Sequence, residues 1–215
     1  MRNIRPCLAI LVVAAGLATG WTPAWGAPVM PQSYEMINGG TGTYTYWDDS
    51  YTGSGNQNVS YSYLSGGLGD LTDGVIATQN WNATPGLYVG WDHGNTPVIR
   101  FHFSTAVTLN AINAYVDDAN GSGGVSLPGS FRIQMGSYDN TFAVSELTGS
   151  APKLLQFTGL NLSGTTLDLT LIRKNSWVMA SEITFDGVAV PIPGAVWLMG
   201  SGLLGLVGWR RFRTS

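Results

Sequence analysis

The chain has 215 residues, room for one ordinary domain plus terminal segments. Charged residues make up only 11% of it against 29 glycines, a balance that favours short strands and turns over helices. Basic residues gather at the two ends, so that between residues 27 and 189 five basic residues face all thirteen acidic ones, a net charge of −8; this argues against a nucleic-acid partner, which needs a basic surface, and suits divalent cations or neutral sugars. The single cysteine, Cys7, excludes an internal disulfide.

In chain order, the first element is MRNIRPCLAILVVAAGLATGWTPAWGA. It has a short basic start, an apolar stretch over residues 7–17, and the small residues Ala24 and Gly26 at −3 and −1 of a cut before Ala27. That is the layout of a secretory signal peptide, and the apolar part is shorter than the roughly 20 residues a membrane span prefers. Residues 27–59 are polar and aromatic: TYTYW alternates as an edge strand or hairpin arm would, and GSGNQN reads as a loop.

From there strand signals recur. Segments 59–64, 87–90, 98–103, 111–116, 130–135, 142–146, 154–157, 165–172 and 177–185 are short, β-branched or aromatic, and separated by Gly, Asn, Asp or Pro. Ile99, Phe101 and Phe103 alternate against Val98, Arg100 and His102, as Leu167, Leu169 and Leu171 do against Asp168 and Thr170. Half-buried strands at this spacing predict an all-β domain over 60–187, an antiparallel jelly-roll β-sandwich.

The C-terminal element is VPIPGAVWLMGSGLLGLVGWRRFRTS. An uncharged apolar run over 194–209 is long enough, counted from residue 188, to span a bilayer as one helix, and the arginines after it fit the positive-inside rule. Pro191 and Pro193 hold Val190 and Ile192 extended just before the run, a form that suits a protease cleft.

The order of a Val190-Pro191-Ile192-Pro193-Gly194 motif, an apolar helix and the basic cluster of Arg210 and Arg211 resembles the VPLPA variety of PEP-CTERM sorting signal, with Ile192 for the usual Leu and Gly194 for the usual Ala. The resemblance covers about the last 26 residues and implies an exopolysaccharide-making Gram-negative bacterium, a transient membrane anchor, cleavage by an exosortase near residues 190–193, and delivery to the cell surface or beyond.

LTDGVIATQNWN, YVGWD, PVIRFHFSTAVTLNAINAYVDD, LPGSFRIQMGSYDNTF and WVMASEITFDG together resemble the galactose-binding-like, or discoidin-type, domain of carbohydrate-binding modules, over residues 60–187. That resemblance implies a structural calcium ion on Asp73, Thr78 and Glu182, completed by loop carbonyls; Val75 and the position of Trp81 depart from the family pattern. Calcium takes hard oxygen ligands, and Gly74 permits the sharp turn that aims carbonyls inward.

A sugar site would use exposed aromatics and planar hydrogen-bonding groups. Trp81, Tyr88, Trp91, His93 and Trp177 lie in or beside expected loops, although Trp91 also reads as a packing residue and His93 as a turn residue. No nucleophile, zinc or phosphate-loop motif occurs, and the neighbouring pairs Asp48–Asp49 and Asp117–Asp118 read as solvated or divergent carboxylates. The expected function is therefore a noncatalytic exported protein that binds or organises exopolysaccharide; a structural or adhesive matrix protein and a glycan-modifying enzyme are the alternatives.

Overall fold

The computed structural model describes residues 27–92 and 94–190. Nine strands account for its regular structure: β1 (Ala27–Pro28), β2 (Ser33–Ile37), β3 (Tyr63–Gly67), β4 (Val89–Asp92), β5 (Val98–Val116), β6 (Ser130–Met135), β7 (Tyr138–Ala143), β8 (Lys153–Ile172) and β9 (Trp177–Ala189). Two single-turn 3-10 segments, Pro85–Leu87 and Ser122–Gly124, interrupt the loops. Among the described residues no helix is long and apolar enough to cross a membrane. The helix expected at 194–209, like Gly26, Pro191, Ile192, Pro193, Gly194, Arg210 and Arg211, lies outside the described residues.

All strands join one antiparallel sheet with the path β1-β9-β5-β8-β6-β7, while β2 adds to the start of β5 and carries β3, and β4 adds to the start of β9. The sheet folds over on itself. Phe185 is the register partner of Ile112, eleven residues along β5 from Phe101, a separation of about 36 Å in a straight strand. Yet the rings of Phe101 and Phe185 have centroids 4.8 Å apart. Likewise Phe131, which is flanked by Leu171 of β8, packs 5.1 Å from Phe157 of the same strand. Both long strands must bend, and register shifts mark where: between His102 and Val107, and between Leu109 and Ala111.

These bends correct the expected segmentation. Segments 98–103 and 111–116 form one strand, as do 154–157 and 165–172, because the polar and Gly-containing stretches between them are bulges and bends rather than loops. β7 begins four residues earlier than expected: Met135 pairs with Tyr138 across a two-residue turn, with Gly136 at φ 60°. Its polar sequence reflects an exposed edge. Alternation places the core as predicted: Ile99, Phe101, Phe103, Leu167, Leu169 and Leu171 are buried, while Arg100 crosses the outer face to a bidentate pair with Asp168 at 2.7 and 2.8 Å.

β1 and β2, both within residues 27–59, pair in this sheet, so strand pairing runs across the boundary expected at residue 60. A buried polar knot holds the segment in place. Tyr34 donates its hydroxyl to Asp48, Asp48 accepts the Asp70 N–H at 2.8 Å, and Asn38 Oδ1 accepts the N–H groups of Gly39 and Asp48, each at 2.8 Å. Tyr51 donates to the Tyr34 carbonyl and accepts from Gly67 N–H at 2.9 Å. Gly39 allows this closeness, since a Cβ there would overlap the Tyr46 carbonyl.

Asp48 is fully buried, contrary to the solvated role expected of it. Desolvation pushes its carboxyl up to about 7, against the opposing effect of the Tyr34 and Asp70 hydrogen bonds, and burial takes Asp70 to about 6. A carboxyl raised on folding favours the folded state below the ordinary carboxylate range, and that advantage is lost as pH rises through about 7. The melting temperature is therefore expected to fall between about pH 5 and pH 8, with Asp48→Asn flattening the slope; a profile that rises over this window in thermal melts contradicts the assignment.

Candidate functional site

Residues 68–83 form an irregular segment laid across the ends of β5 and β9. It is stitched down at successive points: Ile183 N–H donates to the Leu71 carbonyl at 2.8 Å, Gly74 N–H to Glu182 Oε2 at 3.1 Å, and Ala77 N–H to Ser181 Oγ at 3.3 Å. Further along, Trp81 N–H donates to Asp117 Oδ2 at 2.9 Å, and Asn80 Nδ2 to the Asp118 carbonyl at 3.2 Å. Irregular backbone cannot satisfy itself, so side chains from the sheet supply the acceptors.

Two of those acceptors are buried carboxylates. Glu182 is buried, and desolvation, reinforced by Asp73, pushes it up to about 7. Asp117 is also buried; desolvation raises it to about 6, with the Trp81 and Asp118 N–H groups acting in the opposite direction.

The segment presents Trp81. Its indole lies edge-on to Tyr44 at 6.4 Å and to Tyr46 at 6.2 Å, and Tyr46 in turn meets Trp177 at 5.3 Å. Tyr46 is the buried base of this cluster; Trp81 and Trp177 are half-buried, and Tyr44 is 42% exposed. Gly123, at φ 64°, closes over the Trp81 ring, where a Cβ would come within 2.4 Å of Cζ2. Beside Trp81 opens a cleft of about 460 Å³ whose wall includes Gln79, Asn80, Asn82, Ser122 and Ser150. Across the 118–122 loop lies a second cleft, about 480 Å³, bounded by Asp118, Asn120, Glu146, Lys174 and Asn175. The cluster thus offers flat apolar rings next to amides and hydroxyls, a combination suited to polyhydroxylated ligands.

The expected site residues divide. Trp81 and Trp177 belong to the cluster, whereas Tyr88 and Trp91 do not face solvent: Tyr88 is 1% exposed and donates to the Gln79 carbonyl at 2.7 Å, and Trp91 is 0% exposed and donates to the Ile37 carbonyl at 2.7 Å. Their place on or beside β4, covered by residues 27–59, makes them core. His93 lies outside the described residues. Of the expected calcium ligands, Glu182 accepts the Gly74 N–H, Asp73 is exposed and its Oδ1 accepts the Val75 N–H at 2.8 Å, and Thr78 is exposed and lines the Trp81 cleft. No group of three or more His, Cys, Asp or Glu gathers around one point among the described residues. Sequence reasoning missed Tyr44 and Tyr46 as site residues, although the alternation in TYTYW already placed them on one face.

No protein-family model matches the chain, and no curated protein matches it. Among solved structures, the chain is similar to the CBM32 of AlyQ in complex with 4,5-unsaturated mannuronic acid, at 18% identity and a TM-score of 0.37 over 54% of this chain and 82% of that one. It is also similar to a Streptococcus pneumoniae fucose binding module, at 13% identity and a TM-score of 0.42 over 66% and 96% of the two chains. A third likeness is to a family 89 glycoside hydrolase from Clostridium perfringens, at 14% identity and a TM-score of 0.45 over 77% of this chain and 15% of that one.

The packing of Gly123 on Trp81 gives a direct check. Gly123→Ala is expected to cost about 1–3 kcal/mol through overpacking and a disfavoured backbone angle, and to shift tryptophan emission as the indole is displaced; an unchanged urea midpoint and emission spectrum contradict the contact.

Proposed function

We propose that residues 27–190 form a noncatalytic glycan-binding domain of galactose-binding-like type, exported and delivered to the cell surface, where it binds or organises exopolysaccharide. The observation that carries the reading is the half-buried Trp81, edge-on to the exposed Tyr44, in the wall of an open cleft lined by amides and hydroxyls. Pyranose faces stack on such rings while their hydroxyls bond to the wall.

Charge narrows the ligand to neutral sugars. Lys174 is paired with Glu146 and Lys153 donates to the Thr148 carbonyl at 2.7 Å, so the basic groups near the clefts are engaged within the protein. The net charge of −8 over residues 27–189 sets a negative background that disfavours uronates.

A structural calcium ion belongs to the same reading. The donor set fits a hard cation: Glu182 is a buried carboxylate facing the Asp73–Gly74 turn, with Asp73 close enough to raise it electrostatically. Asp73 and Glu182 would hold the ion together with carbonyls of the turn, and the ion would neutralise their charge and fix the segment that carries Trp81. These two groups do no chemistry in this reading; they position the aromatic platform.

Delivery rests on the terminal motifs. Ala27 pairs with Gly187, and Val190 donates its N–H to the Ala106 carbonyl at 2.8 Å, so both expected processing points adjoin the same region of the sheet. An exosortase would act on the motif at residues 190–193.

Two measurements test this. In affinity electrophoresis through gels containing the producing strain's own neutral exopolysaccharide, Trp81→Ala should weaken retardation by about tenfold or more, the order of one lost stacking contact. Equal mobility with and without polysaccharide for the unmodified protein favours the structural matrix role instead. Mass spectrometry of the protein recovered from the cell surface should find Ala27 at its start and no Trp197; a product retaining Trp197 in an exosortase-bearing strain counts against processing.

A further inference from the structure

At the end of β5 two consecutive aspartates leave the solvent together: Asp117 is 0% and Asp118 1% exposed. Each satisfies only part of its carboxylate. Asp117 Oδ2 accepts from Trp81 N–H at 2.9 Å and Asp118 Oδ1 from Asn120 N–H at 3.2 Å. Asp117 Oδ1 and Asp118 Oδ2 are buried without any hydrogen-bond partner among the described residues. Neighbouring carboxylates with unfilled lone pairs are unstable in a protein interior unless a counter-charge is supplied.

The described basic side chains do not supply it. Arg100 is held by Asp168, Arg132 by Asp139, Lys153 by the Thr148 carbonyl, Arg173 by the Asn95 carbonyl, and Lys174 by Glu146.

We propose that Asp117 and Asp118 bind a divalent cation, calcium by the chemistry of the donors, at a site separate from Asp73 and Glu182. Both donors are hard carboxylate oxygens, and calcium completes its shell readily with carbonyls and water. Asp118 lines the second cleft, which gives the ion a route from solvent. The loop after it winds tightly, with Asn120 at φ 54° and Gly121 at φ 86°. Because Asp117 also accepts the Trp81 N–H, and the Asp118 carbonyl holds Asn80, the ion fixes the segment that presents the aromatic platform. Glu182 grips the same segment seven residues earlier, at Gly74, so the two sites are separable by substitution.

The test uses the full chain in a Glu182→Gln background, which removes the other proposed ion. Terbium, a calcium substitute excited through nearby indoles, is titrated and then displaced with calcium. The Glu182→Gln protein should bind terbium with strong sensitised emission, and Asp117→Asn or Asp118→Asn should weaken binding by about tenfold or more. Trp81→Phe, which keeps the backbone contact, should reduce emission while leaving metal content unchanged. Thermal melts give a readout independent of emission: in EDTA, Asp117→Asn should melt higher than its parent because a buried charge is gone, and in calcium it should melt lower. Terbium emission and metal content that survive both aspartate substitutions, or a Glu182→Gln protein that takes up no calcium at millimolar concentration, overturn the proposal; the second result means that protons alone offset the buried charge. Loss of calcium only in Glu182→Gln, with Asp117→Asn behaving as its parent, overturns this site while leaving the Asp73–Glu182 reading intact.

Discussion

The bend of β5 governs how every other strand can pack. That strand pairs with β2 and β8 in its first half and with β8 and β9 in its second. Its turn between His102 and Ala111 brings Phe101 and Phe103 onto Phe185, so one sheet supplies both walls of a single core. A straight β5 would leave these rings tens of ångströms apart, with the inner faces of all three strands exposed to water. The same course delivers Asp117 and Asp118 to the end of β5 beside the start of β9, where the irregular segment 68–83 needs acceptors.

Order in that segment comes at the cost of burying polar groups. The segment carrying Trp81 has no strand ladder of its own, and the sheet holds it through Glu182, Ser181 and Asp117. Carboxylates are strong acceptors for N–H donors, but burying them without arginine or lysine partners raises the free energy of the ionised form. Asp48 and Asp70 repeat the pattern where residues 27–59 are tied to the core. An acidic domain built this way is sensitive to protons, since protonation relieves the desolvated charge.

The aromatic platform shows why its members were only partly legible from sequence. Trp81 and Trp177 sit where loop signals placed them, and TYTYW alternates as its contacts require, although only an isolated bridge between Thr41 and Thr45 forms there. Tyr88 and Trp91 carry the same local loop signals, and nothing within several residues of them says that residues 27–59 will cover them. Burial of an aromatic is a property of what packs on it. The same holds for Asp48, Asp117 and Asp118, which read as solvated turn residues until segments distant in sequence close over them.

Alternation and composition act locally along the chain, and for that reason the residues alone dictate the all-β class, the acidic, cysteine-free character of the domain, and inward-facing rows such as Ile99-Phe101-Phe103 and Leu167-Leu169-Leu171. The terminal motifs from which export and sorting are read are local in the same sense. Three outcomes required the folded chain: that 98–116 and 153–172 are single bent strands, that residues 27–59 complete the sheet, and which aromatics and carboxylates reach the clefts. Those outcomes depend on contacts between residues far apart in sequence, where register shifts and long-range burial, rather than local propensity, set the lowest free energy.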